Sequence, residues 1–565
     1  MSATFSELEI PPSPCPPAPQ PSLRANLAIP LRDGTSLIGD LYLPEASGPW
    51  PIIVERTPYG AAALGPLGAC YAAHGYLFLA VDVRGRYRSG GVWDPLANEK
   101  SDGPEVLRWA AALTECDGRV GTRGHSYAGV NQLLAAPLAG DCLKAMVAYV
   151  APGDPFDNVP FQGGAYDLSD YEWAWFQSGS FCQPDENSPD WDERFRSAFA
   201  SRPLIDSDLR LGLRNGFVRQ WMEHWQLDDF WKQRCWFDDL TKVQVPTLHI
   251  SGWWDNNGRG SVLAYRAMGG REGGQRLLLG PWEHTMDAPE LDDLPLQEQA
   301  LVNRAALRDA FTDELAWFEA HLKGQKQSLS TVEVFVTGAW RWMESLDWPP
   351  AGAAMAPWHL SAEGGLQPEP APLGLRQYAF DPADPNQVED GECPLNLSPY
   401  DTSLDVRDDV LVYRTELLAE PLLVLGDVTV ELEAATTARD VDWIVRLVDE
   451  YPDGRSIWIR DGILRARFRK GFDAPRLVTP GERALYSISL WHVGHLFRAG
   501  HRIRVEICSS MFGRWDVNPG DGGDLATSHA AIPSVQTVFH GGDTGSRLML
   551  PACNASAAAE YLWER

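Results

Sequence analysis

Short apolar runs and amphipathic stretches alternate along the first third of the chain. Ala25–Leu31 and Thr35–Leu43 flank Asp33-Gly34, a dipeptide that closes tight hairpins, and Leu37, Leu41 and Leu43 share one face of the second run. Pro51–Val54 and Tyr76–Val81 are apolar without alternation and run into Gly-, Pro- or Arg-rich loops, as buried parallel strands do. The pattern then predicts a helix over Glu105–Leu113, a strand over Arg119–Gly124, a helix over Tyr127–Leu138 and a strand over Leu143–Val150. Strands alternating with helices imply a mostly parallel sheet covered on both faces.

The alternation stops after Pro152. Residues 153–240 are rich in Trp, Phe, Asp and Arg, with helical stretches over Arg194–Ala200 and Phe217–Trp225. They predict a helical cap inserted over the sheet. Strands resume at Thr247–Ile250 and Arg276–Leu279. An amphipathic helix is then predicted through Leu307, Phe311, Leu315, Phe318 and Leu322, with Lys323-Gly324 as its stop. From about residue 331 the period becomes two. Val428, Val430 and Leu432 alternate with polar residues, as do Trp443, Val445 and Leu447, and Ile503, Val505 and Ile507. Half-buried strands with no helices between them predict an antiparallel β-sandwich or jelly roll. The expected division is a proline-rich arm over 1–24, an α/β domain in two parts (25–152 and 241–328), the cap at 153–240 and the β-domain at 329–565. The arm holds seven prolines in Pro11–Pro21, an extended composition with no core of its own.

Composition narrows the function classes. The 565 residues carry a net charge of -29, from 48 Lys+Arg against 77 Asp+Glu, which disfavours nucleic acid and anionic membranes as partners. The nine cysteines are scattered without a CxxC pair, so buried thiols are expected rather than a zinc ribbon or a disulfide framework. No signal segment and no run of about 18 apolar residues is visible, and the expected location is the cytoplasm. A homo-oligomer is compatible with these features.

The sharpest local signal is Gly124-His125-Ser126-Tyr127-Ala128-Gly129, between a strand and a helix. A nucleophile on a strand-to-helix turn needs small residues two positions before and after it, because larger side chains collide as the backbone reverses. Gly124 and Ala128 meet that need. The turn lifts the Ser126 hydroxyl above the sheet and points the Tyr127 N–H at a developing oxyanion. A serine needs a base, and the expected chain order is Ser, acid, His. Asp255 follows the strand Thr247–Ile250 and His284 follows Arg276–Leu279, so both emerge at the carboxyl ends of adjacent strands. Asp255 alone reads as a helix cap and His284 alone as a loop histidine; their joint placement makes them the expected acid and base. His125 is the rival base, but its neighbour position on a strand turns it away from Ser126. His492, His495 and His501 lack acidic or thiol partners at matching spacing, so no metal site is predicted. Tyr59, in the loop after an early strand, is the candidate second oxyanion donor. Trp173, Trp175, Trp254 and Asn256 are candidates for lining the substrate pocket.

Together, Arg56-Thr57-Pro58-Tyr59, Asp82-Val83-Arg84-Gly85, Gly124-His125-Ser126-Tyr127, Gly252-Trp253-Trp254-Asp255 and Gly280-Pro281-Trp282-Glu283-His284 resemble the family of cocaine esterase, X-prolyl dipeptidyl-peptidases and α-amino-acid ester hydrolases. Gly462–Arg467 and Gly500–Arg504 extend the resemblance into the β-domain. It implies an α/β-hydrolase with an inserted helical cap and a C-terminal jelly roll, the triad Ser126, Asp255 and His284, an oxyanion hole of Tyr59 O–H and Tyr127 N–H, and no cofactor. Two positions depart from the family. Tyr87 stands where many members have glycine, and neutral Asn256 and Asn257 follow Asp255 where ammonium-binding members carry carboxylates. Asp154 and Asp157 are the nearest substitutes for that charge.

The expected function is acyl transfer to water from a small carboxylic ester or amide, through an acyl-enzyme on Ser126. A bulky apolar or aromatic acyl group is the expected substrate. Cleavage of peptides after a penultimate proline is the second reading. The third is a binding protein, with a sugar-recognising jelly roll on an inactive hydrolase shell.

Overall fold

A computed structural model of the chain describes residues 21–177, 191–212, 216–272, 274–289, 294–327, 329–387, 407–542, 544–553 and 562–563. The proline-rich arm therefore lies almost entirely outside the described residues. β1 (Ser22–Pro30) and β2 (Ser36–Leu43) form the expected hairpin, with Gly34 in the left-handed region (φ 88°) at its turn. β3 (Trp50–Thr57), α1 (Gly65–Ala73), β4 (Leu77–Asp82), α2 (Glu99–Ala111), β5 (Cys116–His125), α3 (Tyr127–Ala139) and β6 (Leu143–Tyr149) follow. All six residues of β4 are buried, as an apolar run without alternation predicts.

Eleven strands among the described residues make one sheet. Its order is β1, β2, β4, β3, β5, β6, then Thr247–Trp254, Arg276–Glu283, Val332–Val336, Arg341–Ser345 and Leu562–Trp563. Pairing is parallel from β4 through Val332–Val336 and antiparallel at both edges. The strands at 332–345, expected in the β-domain, complete the hydrolase sheet instead. Val332–Val336 is buried throughout, and its one charge, Glu333, pairs with Arg276 at 2.7 Å and Arg308 at 2.8 Å.

The helix expected through Leu307 is two helices, Leu296–Ala306 and Ala310–Lys323. Asp309 separates them: its side chain accepts the Phe311 N–H at 3.0 Å and starts a new helix, leaving Leu307 exposed. Gly324 ends the second helix in the left-handed region, as predicted.

The cap contributes α4 (Leu168–Phe176), Trp191–Ala200 and Gly216–Glu223. In the C-terminal part, a seven-stranded and a four-stranded antiparallel sheet face each other. Their core joins Val430 and Ile488 to Trp443 and Val445, and it runs on into Trp175 and Trp231 of the cap. The polar positions of Asp442–Glu450 are buried rather than solvated. Asp442 pairs with Arg465, Arg446 with Glu506, and Asp449 receives His495 and His501. The face carrying Asp442 and Arg446 is covered, because Ile444, Trp458 and Ile463 on that sheet pack with Ala165 of the cap, whereas Asp449 lies on the face with Trp443, Val445 and Leu447 that meets the other sheet. Cys116, Cys142, Cys235, Cys508 and Cys553 are free, but Cys70 is disulfide-bonded, so the expectation of thiols throughout does not hold. No helix among the described residues is long and apolar enough to cross a membrane.

Candidate active site

β5 ends at His125, and the chain reverses at Ser126 into α3. Ser126 takes φ 57° and ψ -120°, a conformation that a non-glycine residue adopts only when its surroundings enforce it. They do so through hydrogen bonds and close packing. The Ser126 N–H donates to the Tyr149 carbonyl of β6 at 3.0 Å, and its own carbonyl accepts from Gly129 (2.8 Å) and Val130 (3.0 Å) to open the helix. A Cβ on Gly124 would come within 2.1 Å of the Ala128 carbonyl oxygen, and one on Gly129 within 2.7 Å of the Tyr149 oxygen. The small residues of the motif are thus required by backbone contact.

Asp255 and His284 follow the neighbouring strands Thr247–Trp254 and Arg276–Glu283, whose register sets Gly252 beside Gly280. A Cβ on Gly252 would lie 1.9 Å from the Trp282 oxygen, so glycine lets the two strand ends converge. His284 Nδ1 is 2.8 Å from Asp255 Oδ1, and His284 Nε2 is 3.0 Å from Ser126 Oγ. Asp255 is fully buried; Oδ1 also accepts the Asn257 N–H at 3.0 Å and Oδ2 accepts the Ser251 hydroxyl at 2.6 Å. A carboxylate held this way accepts the Nδ1 proton, which leaves Nε2 as the acceptor facing the serine hydroxyl. The three residues predicted as a triad, spread over 158 positions, form one continuous hydrogen-bonded chain.

Tyr59 lies in the loop after β3, and its hydroxyl oxygen accepts the Trp173 indole N–H at 3.1 Å. Burial pushes the phenol's pKa up, opposed by hydrogen bonding with Ser126, the Trp173 indole and the Tyr127 main-chain N–H. The Tyr59 oxygen therefore sits where Ser126 and the Tyr127 amide meet, and it keeps its proton as a donor. Arg86 braces this loop against the cap, donating to the Pro58 carbonyl (3.0 Å) and to the Gln177 carbonyl (3.0 Å). Tyr87 has φ 46°, the left-handed region that suits glycine, and its ring lies against Gly60. The departure at Tyr87 thus preserves the loop's backbone turn and adds a ring beside Tyr59.

Ser126 opens onto a cavity of about 50 Å³ walled by Tyr127, Leu96, Val130, Val159, Trp173 and Trp221. Trp173 is there as expected, stacked on the Tyr127 ring at 5.8 Å. The other nominated residues are elsewhere. Trp175 is buried in the core shared by the cap and the β-domain. Trp254 lines a separate cavity of about 20 Å³ with Trp253, Trp340 and His495. Asn256 is buried behind the pocket wall, donating to Ser169 Oγ at 3.1 Å.

Two polar residues not nominated from sequence line the pocket: Asp170 and Asn257. Asn257 donates through Nδ2 to the Val150 carbonyl at 3.2 Å, and among the described residues neither its Oδ1 nor Asp170 Oδ2 has a partner. Burial, reinforced by the nearby Asp167, raises the Asp170 pKa well above the usual carboxylate range, against the pull of Arg514. Asp170 sits in the first turn of α4, behind the Asp167 cap, where an acidic residue needs no special explanation. Its sequence position alone therefore gave no sign of a pocket role. Asp154 and Asp157 do not replace the missing charge: Asp154 accepts the Trp236 and Phe237 N–H groups, and Asp157 pairs with Arg259 at 2.6 Å.

Residues 33–286 match the X-Pro dipeptidyl-peptidase (S15 family) and 323–549 match the X-Pro dipeptidyl-peptidase C-terminal non-catalytic domain. Cocaine esterase of Rhodococcus sp. (strain MB1 Bresler) is 29% identical over 94% of this chain and 98% of its own. The structure of an α-amino acid ester hydrolase superposes with a TM-score of 0.84 at 25% identity, over 97% of this chain and all of that one. An aminopeptidase from a marine sediment archaeon (Thaumarchaeota archaeon) has the same fold, with a TM-score of 0.84 at 24% identity over 98% of each chain. The chain belongs to the serine-hydrolase family that includes cocaine esterase, the α-amino-acid ester hydrolases and the X-Pro dipeptidyl-peptidases.

Proposed function

We propose that the chain hydrolyses a small carboxylic ester through an acyl-enzyme on Ser126. The observation that carries this reading is the unbroken line Asp255–His284–Ser126, with contacts of 2.8 and 3.0 Å, at a strained strand-to-helix turn. His284 Nε2 takes the Ser126 proton as Oγ attacks the carbonyl, Asp255 stabilises the resulting imidazolium, and the tetrahedral oxyanion is held by Tyr59 O–H and Tyr127 N–H. His284 then returns the proton to the leaving alkoxide. Water enters by the same route in reverse and frees the acid. The apolar wall of Leu96, Val130, Trp173 and Trp221 suits a bulky or aromatic acyl group. In this reading, residues 153–240 are the cap that closes the acyl side and 329–565, less the strands that finish the sheet, form the β-domain.

The test is turnover of a panel of nitrophenyl esters by the intact protein and by Ser126→Ala. Turnover is expected to fall by about 10⁴-fold or more in the variant. Unchanged turnover would remove the mechanism.

A second reading rests on Asp170. Among the described residues its Oδ2 and the Asn257 Oδ1 have no partner, and both face one small pocket, where a cation would let the Asp170 carboxyl ionise and accept. Acceptors without donors favour an acyl group that carries a protonated amine, as an aminoacyl ester or a peptide N-terminus does. Esters with and without an α-amino group, compared with an X-Pro anilide, separate the two readings.

A further inference from the structure

His125 is used by neither the nucleophile nor the oxyanion hole. It projects from the end of β5, beside Tyr149 of β6, toward the helix Ala310–Lys323. Its ring lies 5.1 Å from the His284 ring, with the planes at 71°. On its other side is a cavity of about 290 Å³, much larger than the acyl pocket, walled by Arg123, Tyr149, Trp282, Met286, Arg308 and Phe311. His125 therefore stands between that cavity and the imidazole of the proposed base.

Two hydrogen bonds hold the His284 ring, Nδ1 to Asp255 Oδ1 at 2.8 Å and Nε2 to Ser126 Oγ at 3.0 Å. They anchor the two nitrogens and oppose tilt about the Nδ1–Nε2 axis only through bending of the bonds, which leaves the ring some freedom. An edge-to-face neighbour at contact distance removes that freedom. We propose that His125 is a positioning residue for His284, whose ring blocks the tilt of the imidazole and closes it off from the cavity behind. The inference rests on His284 being the base proposed above.

The charges around His125 suit this passive part. His284 and Asp255 face it from the catalytic side; Arg123, Arg308, Tyr149 and Asp309 face it round the cavity. Arg123 is held by Glu55 and Glu314, and Arg308 by Asp313 and Glu333, so neither guanidinium is left to seek the imidazole. Burial, and then the charge of His284, push the His125 pKa down to about 3. It stays neutral when His284 becomes an imidazolium during turnover.

The experiment is a pH–rate profile of ester hydrolysis by the full chain carrying His125→Ala or His125→Phe, with His284→Ala as the control. The Ala variant is expected to lose about ten- to a hundredfold in kcat, the range in which a misaligned base costs rate, with KM within about twofold. Its acid limb is expected to move to higher pH, because water reaching His284 from the cavity favours the imidazolium. The Phe variant restores a ring edge and is expected to recover most of kcat and the original acid limb. Wild-type kcat and acid limb in the Ala variant, or a Phe variant no better than Ala, would overturn the inference. If the Ala variant does not fold, His125→Asn is read against Phe in the same way. An active His284→Ala would sink the base assignment itself, whereas an inactive one beside an unaffected His125→Ala would sink only this inference.

Discussion

The residues that matter most here are defined by what they cannot exchange. Gly124 and Gly252 have backbone oxygens 2.1 and 1.9 Å from where a Cβ would sit; the first contact closes the turn at Ser126 and the second lets the strands leading to Asp255 and His284 converge. Such a requirement leaves a mark in the sequence, because only glycine fits. Ser126 could be nominated for that reason, and Asp255 and His284 by their chain order after neighbouring strands; Tyr59 rested on its loop position alone. Asp170 was not legible, since an acid in the first turn of a helix has an ordinary explanation there, and the pocket it shares is closed by Trp221 from another part of the cap. The tryptophan nominations divided on the same ground. Trp173 and Trp175 both lie in α4, yet one faces Ser126 and the other the core. The pocket face of the helix is set by tertiary packing. At Asp170 the expected outcome concerns selectivity. If the acyl group carries an amine, Asp170→Asn lowers the rate ratio of an amino ester to its neutral isostere by about ten- to a hundredfold, the worth of a charge-assisted hydrogen bond. The check is kcat/KM for the matched pair; an unchanged ratio returns the substrate to the apolar class.

Among the elements, most strands through residue 150 and the helix after Ser126 were readable, but the helix Gly65–Ala73 was not expected and Glu99–Ala111 begins six residues before the expected Glu105. Breaks between elements were less readable. Asp309 interrupts what periodicity alone joins into one helix, and Val332–Val336 pairs with the hydrolase sheet although its neighbours in sequence are antiparallel strands. The first is a local cap, with Asp309 accepting the Phe311 N–H, that periodicity does not register; the second depends on a strand distant in the chain. The join between cap and sheet carries its own test. Burial pushes Asp154 up to about 7, against two N–H groups at the start of the short helix Phe237–Leu240. Its folded pKa lies above the unfolded value. The stability it contributes is therefore greatest below about pH 4 and is lost as pH rises through 7, by on the order of 4 kcal/mol at most. Asp154→Asn keeps an acceptor and cannot ionise. The difference in melting temperature, variant minus wild type, should grow more positive from pH 4 to pH 7.5; a flat difference would contradict the burial.

At the scale of the whole molecule, the hydrolase sheet and the β-domain are locked by buried polar groups. Glu298, on the helix Leu296–Ala306, accepts from Trp340 (2.7 Å), from Tyr451 (3.0 Å) and from Arg498 (2.8 Å). Removing it strands three donors, so Glu298→Ala is expected to cost about 3 kcal/mol. Thermal or urea unfolding should show the loss, while kcat of the folded protein stays within about twofold, because Glu298 touches none of the proposed catalytic groups. A variant as stable as the parent would show that this junction carries little load. The fold class was legible in the sequence, but the closeness of this join was not. The sequence showed no acidic partner at matching spacing for His495 and His501, and only strand pairing and packing in the folded interior bring Asp449 to both.

Covalent labelling with an aryl fluorophosphonate, followed by mass spectrometry of the digested protein, bears most directly on the proposal that the Ser126 hydroxyl is activated by His284. One label per chain is expected, on the peptide containing Ser126. It should be lost in Ser126→Ala and formed far more slowly in His284→Ala. An esterase-active preparation that takes no label, or takes it on another residue, would contradict the account.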